Sequence, residues 1–205
     1  MSAIAHLTAT LFRKAANDRR LMVAVAGPPG AGKSTFAEAL ASLLPQGRAA
    51  VVSMDGFHYD NAVLDARGLR ARKGAPETFD FDGFRHLLER LRRADAEVAA
   101  PLFDREADLA RAGAAPVPAG AKFVLVEGNY LLLDESPWYG LSPLFDHTVW
   151  LDVPAAELER RLVRRWLDHG HSPDQARARA LTNDLPNAER IVARRRQPDT
   201  IITGF

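Results

Sequence analysis

Eight residues, Gly27-Pro28-Pro29-Gly30-Ala31-Gly32-Lys33-Ser34, constrain this chain more than any other stretch. A short apolar run, Leu21-Met22-Val23-Ala24-Val25-Ala26, precedes them, and a run of helical character from 34 to 44 follows. A strand feeding a glycine-rich turn and then a helix makes an anion cradle, because the loop N–H groups and the helix N-terminus converge on one point. In that setting Lys33 reaches the β- and γ-phosphates of a nucleoside triphosphate, and the Ser34 hydroxyl is placed to ligate Mg²⁺. ATP or GTP is therefore expected to lie on Gly27, Gly30, Ala31, Gly32, Lys33, Ser34 and Thr35. A bare Gly/Pro-rich surface turn would not need strand, Gly-Lys-Ser and helix in that order.

Composition sets the bounds. The 205 residues, 47% hydrophobic and 26% charged, suit one compact α/β domain over 1–205. A net charge of +1 gives no global pull toward nucleic acid or an anionic membrane. Cysteine is absent, which removes disulfides and thiolate metal sites. No apolar run approaches the roughly 20 residues a membrane helix needs. Lys14, Asn17, Asp18, Arg19 and Arg20 come too early for a secretory h-region, so a soluble cytoplasmic protein is expected.

Along the chain, Ile4, Leu7, Leu11 and Phe12 sit at helical spacing within 2–20. A second apolar strand over 49–54 leads into Asp55-Gly56-Phe57-His58-Tyr59. An excursion over about 56–80 is charged and glycine-punctuated. Phe84, Leu87, Leu88 and Leu91 mark a helix, with Asp80 or Asp82 as its N-cap. The Ala/Gly/Pro-rich 110–120 reads as a loop. A third strand, 122–126, ends in Glu127, and a fourth, 148–153, ends at Pro154. Pro154 opens a helix to about His169 that Gly170 closes, giving a lid region over about 155–172. Ser172-Pro173 opens another helix, 187–196 forms a last one, and 199–202 supplies a fifth strand. Strands alternating with helices imply a parallel sheet covered on both faces.

Ligands of such sheets bind beyond the carboxyl ends of the strands. Asp55 and Glu127 are each the first charged residue after an apolar strand. Asp55 is placed to take the proton of an acceptor hydroxyl, and Glu127 to hold Mg²⁺ directly or through water. Arg160, Arg161, Arg164 and Arg165 cluster on the helix after the fourth strand, as a lid over phosphates or as a solvated face paired with Glu157 and Glu159. His58, Arg72, Lys73 and Arg105 are candidates to line an acceptor pocket.

The phosphate loop, Met54-Asp55-Gly56-Phe57-His58, Arg72-Lys73-Gly74-Ala75-Pro76-Glu77-Thr78-Phe79-Asp80 and Val126-Glu127-Gly128 together resemble the phosphoribulokinase/uridine kinase/pantothenate kinase family. Asp184-Leu185-Pro186-Asn187-Ala188 and Arg164-Arg165-Trp166-Leu167 bring the chain nearest to its short bacterial members named fructose transport system kinase or nucleoside kinase-like. The resemblance implies a P-loop fold, α/β with a five-stranded parallel sheet of order 2-3-1-4-5. It implies ATP·Mg²⁺ as donor and a small-molecule hydroxyl as acceptor, and leaves a homodimer open. By position it makes Asp55 the base, puts Lys33 and Ser34 on the phosphates and Mg²⁺, and makes Arg164 and Arg165 the catalytic lid arginines. Two departures bear on the acceptor. Asp168 or its neighbours stand where uridine kinases carry a further lid arginine, and Pro101-Leu102-Phe103-Asp104-Arg105-Glu106 lacks their His/Tyr pattern. A sugar of the fructose type is the expected acceptor, with pantothenate or a nucleoside as alternatives. A regulatory GTPase would carry an Asn/Thr-Lys-x-Asp segment after the fourth strand, and Leu151-Asp152-Val153-Pro154 lacks the lysine.

Overall fold

The computed structural model describes residues 2–15 and 19–204. Helix α1 (Ala3–Lys14), capped by the Ser2 hydroxyl, buries Leu7, Thr8 and Leu11. It stops short of the span expected from sequence, and Asn17 and Asp18 lie outside the described residues. Next come β1 (Leu21–Ala26), α2 (Lys33–Ser42) and β2 (Ala49–Ser53). The excursion carries the short α3 (Asn61–Ala66) and leads into α4 (Phe81–Arg93), capped by Asp80 through the Gly83 N–H. An antiparallel pair, β3 (Val98–Asp104) and β4 (Leu109–Val117), precedes β5 (Phe123–Gly128) and β6 (His147–Asp152). The chain ends with α5 (Ala155–Asp168), α6 (Pro173–Arg179), α7 (Leu185–Ala193) and β7 (Thr200–Thr203).

The main sheet has the order β2-β5-β1-β6-β7 and every pairing in it is parallel, so its five strands run 2-3-1-4-5 as expected. β1 is apolar throughout because both of its faces are covered. Met22, Ala24 and Ala26 enter a cluster with Phe84, Leu88 and Trp150, while Leu21, Val23 and Val25 pack with Leu7, Phe36 and Leu40 on the other face. A parallel sheet between two such layers leaves only its strand ends open to ligands.

Two expectations from sequence change. The stretch 110–120 is not a loop: most of it is β4, paired with β3 in a two-stranded ribbon. That strand is largely exposed, so it carries no apolar alternation, and Pro101 and Pro116 are tolerated because the ribbon is narrow. Glu127 does not follow the third sheet strand but lies within it, opposite Val25 and Ser53.

Arg20 fixes one edge of this frame. It is buried and, among the described residues, donates only to backbone carbonyls: Leu91 at 2.6 Å, Pro118 at 2.7 Å, Ala121 at 2.8 Å and Ala119 at 2.9 Å. Truncation would strand several acceptors that now share one charged donor. Arg20→Leu should lower unfolding stability by about 2–4 kcal/mol. Urea unfolding checks this, and an unchanged midpoint would show that the four carbonyls find water instead.

Candidate active site

The loop after β1 is held by its own backbone. Gly30 (φ +81°) and Gly32 (φ +86°) adopt the left-handed conformation open to glycine, and Gly32 caps α2. A Cβ on Gly30 would also come within 3.3 Å of Leu162 on α5, so loop and lid helix are in close contact. The first N–H groups of α2 face the chamber lined by Gly30, Gly32, Lys33, Ser34 and Thr35. Gly27 sits at the loop's start, where a Cβ would crowd the Leu151 carbonyl at 3.2 Å, and Ala31 is buried with its N–H on the Pro28 carbonyl.

Lys33 is buried, and its Nζ donates to the Pro28 carbonyl at 3.0 Å. Burial lowers its pKa to about 8, against the opposing fields of Glu127 and Asp55. The Ser34 hydroxyl donates to Glu127 Oε1 at 3.2 Å. Burial pushes the Glu127 carboxyl up, and the neighbouring Asp55 charge adds to that. A buried acid beside a second acid and a hydroxyl is an all-oxygen donor set whose repulsion a hard dication would relieve. The residues therefore fit Mg²⁺, with Ser34 and Glu127 as the groups to hold it.

Asp55 stands on the 3-10 turn that follows β2, where Ser53 Oγ accepts its N–H at 3.2 Å. Arg105, from the turn between β3 and β4, donates to Asp55 Oδ2 at 2.8 Å. Burial alone would raise this carboxyl, but His58, Arg105, Lys33 and Arg165 outweigh it and hold Asp55 below the ordinary carboxylate range. The turn and the ribbon are locked together at Gly56, where a Cβ would meet the Pro101 carbonyl oxygen at 2.4 Å.

A second chamber adjoins the first, and Pro29, Asp55, Arg105, Asn129 and Arg165 line both. His58 lies in it, stacked on Phe79 with ring centroids 4.0 Å apart. Burial lowers its pKa to about 4, so the imidazole is neutral at pH 7. Lys73 also lines this chamber, but its three N–H groups are spent on Asn61 Oδ1 (2.7 Å) and on the Asp108 carboxylate and carbonyl (2.8 and 2.9 Å). It clasps the excursion to the ribbon. Arg72 lies outside both chambers, paired with Glu77 at 2.6 Å.

The arginines of α5 divide. Arg165 is half-buried and lines both chambers. Arg161 bonds Glu157 at 2.6 Å and reaches the Gly30 carbonyl at 3.4 Å. Arg160 pairs with Glu157, and Arg164, 71% exposed, pairs with Asp168 at 2.9 Å; neither enters a chamber. Of the two lid arginines expected from the resemblance, the structure brings one to the site.

Sequence reasoning about single residues missed Asn129, Asp108, Trp166, Arg179, Asp184 and Asn187, all of which line the second chamber. Arg179, Asp184 and Asn187 reach it because α6 and α7 are joined through a π-helical segment, Ala180–Asp184. Such segments frequently mark functional sites. Trp166, Asp184 and Asn187 enter the sequence reading only as marks of resemblance, since nothing local shows that they turn inward.

A 2-3-1-4-5 parallel sheet with a phosphate loop after its central strand defines a P-loop nucleotide-binding protein. The chain belongs to the phosphoribulokinase/uridine kinase family, whose model matches residues 22–203. It is 47% identical to a crystallised protein from Silicibacter sp. TM1040, provisionally named a fructose transport system kinase, with a TM-score of 0.93 over 98% of this chain and 100% of that one. It is 39% identical to the uncharacterized Escherichia coli protein YggC over 90% of this chain and 78% of the relative. A Schizosaccharomyces pombe protein provisionally named a uridine kinase is 30% identical over 91% of this chain and 84% of its own. The chain is a small-molecule kinase of this family, and membership implies ATP as donor.

Proposed function

We propose that the chain transfers the γ-phosphoryl group of ATP, with Mg²⁺, to a hydroxyl of a small polyhydroxylated molecule, with a sugar of the fructose type as the best first candidate. One observation carries this reading: Asp55 is a carboxylate that lines both the phosphate-loop chamber and the chamber beside it. The acceptor hydroxyl gives its proton to Asp55, its oxygen bonds the γ-phosphorus, and the bond to ADP breaks with its electron pair leaving on ADP. Lys33, the loop N–H groups and Arg165 hold the phosphates and the charge that spreads over them. Ser34 and Glu127 would hold Mg²⁺, which would supply neutralisation of the phosphate charge. Arg105 keeps Asp55 ionised, and α5 with the following turn acts as the lid over 155–172. The sugar rests on the name of the Silicibacter relative, and the departures at Asp168 and 101–106 count against a pyrimidine nucleoside.

A screen of ADP release from ATP against sugars, polyols, nucleosides and pantothenate tests the reading. Acceptor-dependent ADP release is the expected result. ATP turnover that ignores every acceptor would replace the kinase with a regulatory NTPase.

The pH response follows from Lys33. The cation holds phosphate, and its pKa is about 8, so it is charged at pH 7 and loses charge as pH rises through 8. ATP affinity of the free protein should therefore fall above pH 8, approaching about tenfold per unit once Lys33 is mostly neutral. Titrations at pH 7, 8, 9 and 10 read this directly; a flat profile would mean that Lys33 does not carry phosphate binding.

A further inference from the structure

The charges of the second chamber are not equally engaged. Lys73 has no free donor, since Asn61 and Asp108 take all three. Arg105 is on Asp55, and Arg165 is shared with the phosphate-loop chamber. Arg179 differs. Its guanidinium lies over the Trp166 ring at 4.5 Å from the centroid, its Nε is buried without a hydrogen-bond partner, and it pairs with no carboxylate among the described residues. Its acidic neighbour on the π segment, Asp184, is occupied by the Trp166 indole N–H at 2.6 Å. A guanidinium held over an aromatic face beside a cavity, with its planar fork uncommitted, matches an oxyacid group.

The cavity has room for one. Arg179 and Trp166 line the second chamber, where Asp55 also lies, and a wider outer cavity of about 880 Å³ that shares Arg105 and Asp108 with it. A molecule with its hydroxyl on Asp55 can therefore extend along Trp166 toward Arg179.

We propose that the acceptor is an anionic hydroxy compound, a sugar phosphate or a sugar-type acid, whose phosphate or carboxylate is bound by Arg179 above Trp166. This rests on the kinase reading for the word acceptor, but the acid site stands on Arg179 itself. A neutral sugar leaves that guanidinium uncompensated, and sites built around a charged contact reject analogues that lack it.

The test pairs compounds that differ only in the acid: fructose with fructose 6-phosphate, and glycerol with glycerate. The acidic member of at least one pair should be phosphorylated with kcat/KM about 10²-fold or more above its neutral partner. Which pair responds tells phosphate from carboxylate. Arg179→Gln should raise KM for that acid about tenfold or more while kcat and the KM for ATP move less than about threefold, and Arg179→Lys should fall between. Calorimetric binding of fructose 6-phosphate and glycerate to the full chain gives a second readout that needs no turnover. Binding of either acid that Arg179→Gln abolishes supports the proposal. Neutral partners used as well as their acids in both pairs, neither acid binding, or an unchanged KM or affinity in a folded Arg179→Gln protein overturns it. The two readings separate cleanly. Ready phosphorylation of neutral fructose or glycerol leaves the kinase and removes the acid site, whereas acid binding through Arg179 without phosphoryl transfer does the reverse.

Discussion

Asp55→Asn is expected to leave ATP affinity within about twofold and to lower kcat by about 10²–10⁴, the usual contribution of a positioned base. The amide keeps the size of the side chain and still offers an oxygen to Arg105, which now holds Oδ2 at 2.8 Å, so the turn after β2 should persist. What disappears is the proton acceptor between the two chambers. The pH profile provides a second check. Asp55 is held below the ordinary carboxylate range, so it is fully ionised at neutral pH and loses its charge only well into the acid range. Turnover by the wild type should be flat on the acid side of neutrality until that point. Comparable kcat in the variant, measured with a true acceptor, would remove Asp55 from the chemistry.

Arg164 and Arg165 are adjacent, yet opposite results are expected from them. Arg165→Gln should cost about 10³-fold in kcat, in the range seen when a guanidinium stabilising phosphoryl transfer is removed. It is half-buried and on the wall common to both chambers, with Asp55 and Asp184 among the charges that reach it. Arg164→Gln should change kcat by less than about twofold, because that side chain is 71% exposed and engaged by Asp168 four residues on. Steady-state kinetics of the two variants decide between them. Equal losses would mean that the helix turns on closing and presents both side chains.

This contrast marks where sequence stops being informative. Charge, spacing and the likeness to known kinases place an arginine pair on the lid helix, but adjacent residues lie about 100° apart around a helix, and only the packing of Leu158 and Leu162 shows which one turns inward. Asp55 and Glu127 were legible because strand ends are where a buried sheet can expose charge, and an apolar run ending in an acid makes such an end visible; Lys33 and Ser34 were legible because Gly-Lys-Ser stands between a strand and a helix. β4 was not: its side chains are mostly small and exposed, so it has neither propensity nor alternation to display. Lys73 is a candidate pocket residue by its place in the excursion, but its neutralising partner Asp108 lies 35 residues away in the turn between β3 and β4, which no local pattern connects to it. Arg179, Asp184 and Asn187 depend on the register of a π-helical segment, which no local pattern announces.

The central claim is that the two chambers meeting at Asp55 are donor and acceptor halves of one kinase site. Following the γ-phosphorus of labelled ATP tests it most directly, with the best acceptor from the screen and with wild type and Asp55→Asn side by side. The label should appear as an acid-stable organic phosphate ester with wild type and be slowed at least about 10²-fold in the variant. Label released only as inorganic phosphate, at a rate the acceptor does not change and Asp55→Asn does not slow, would contradict it.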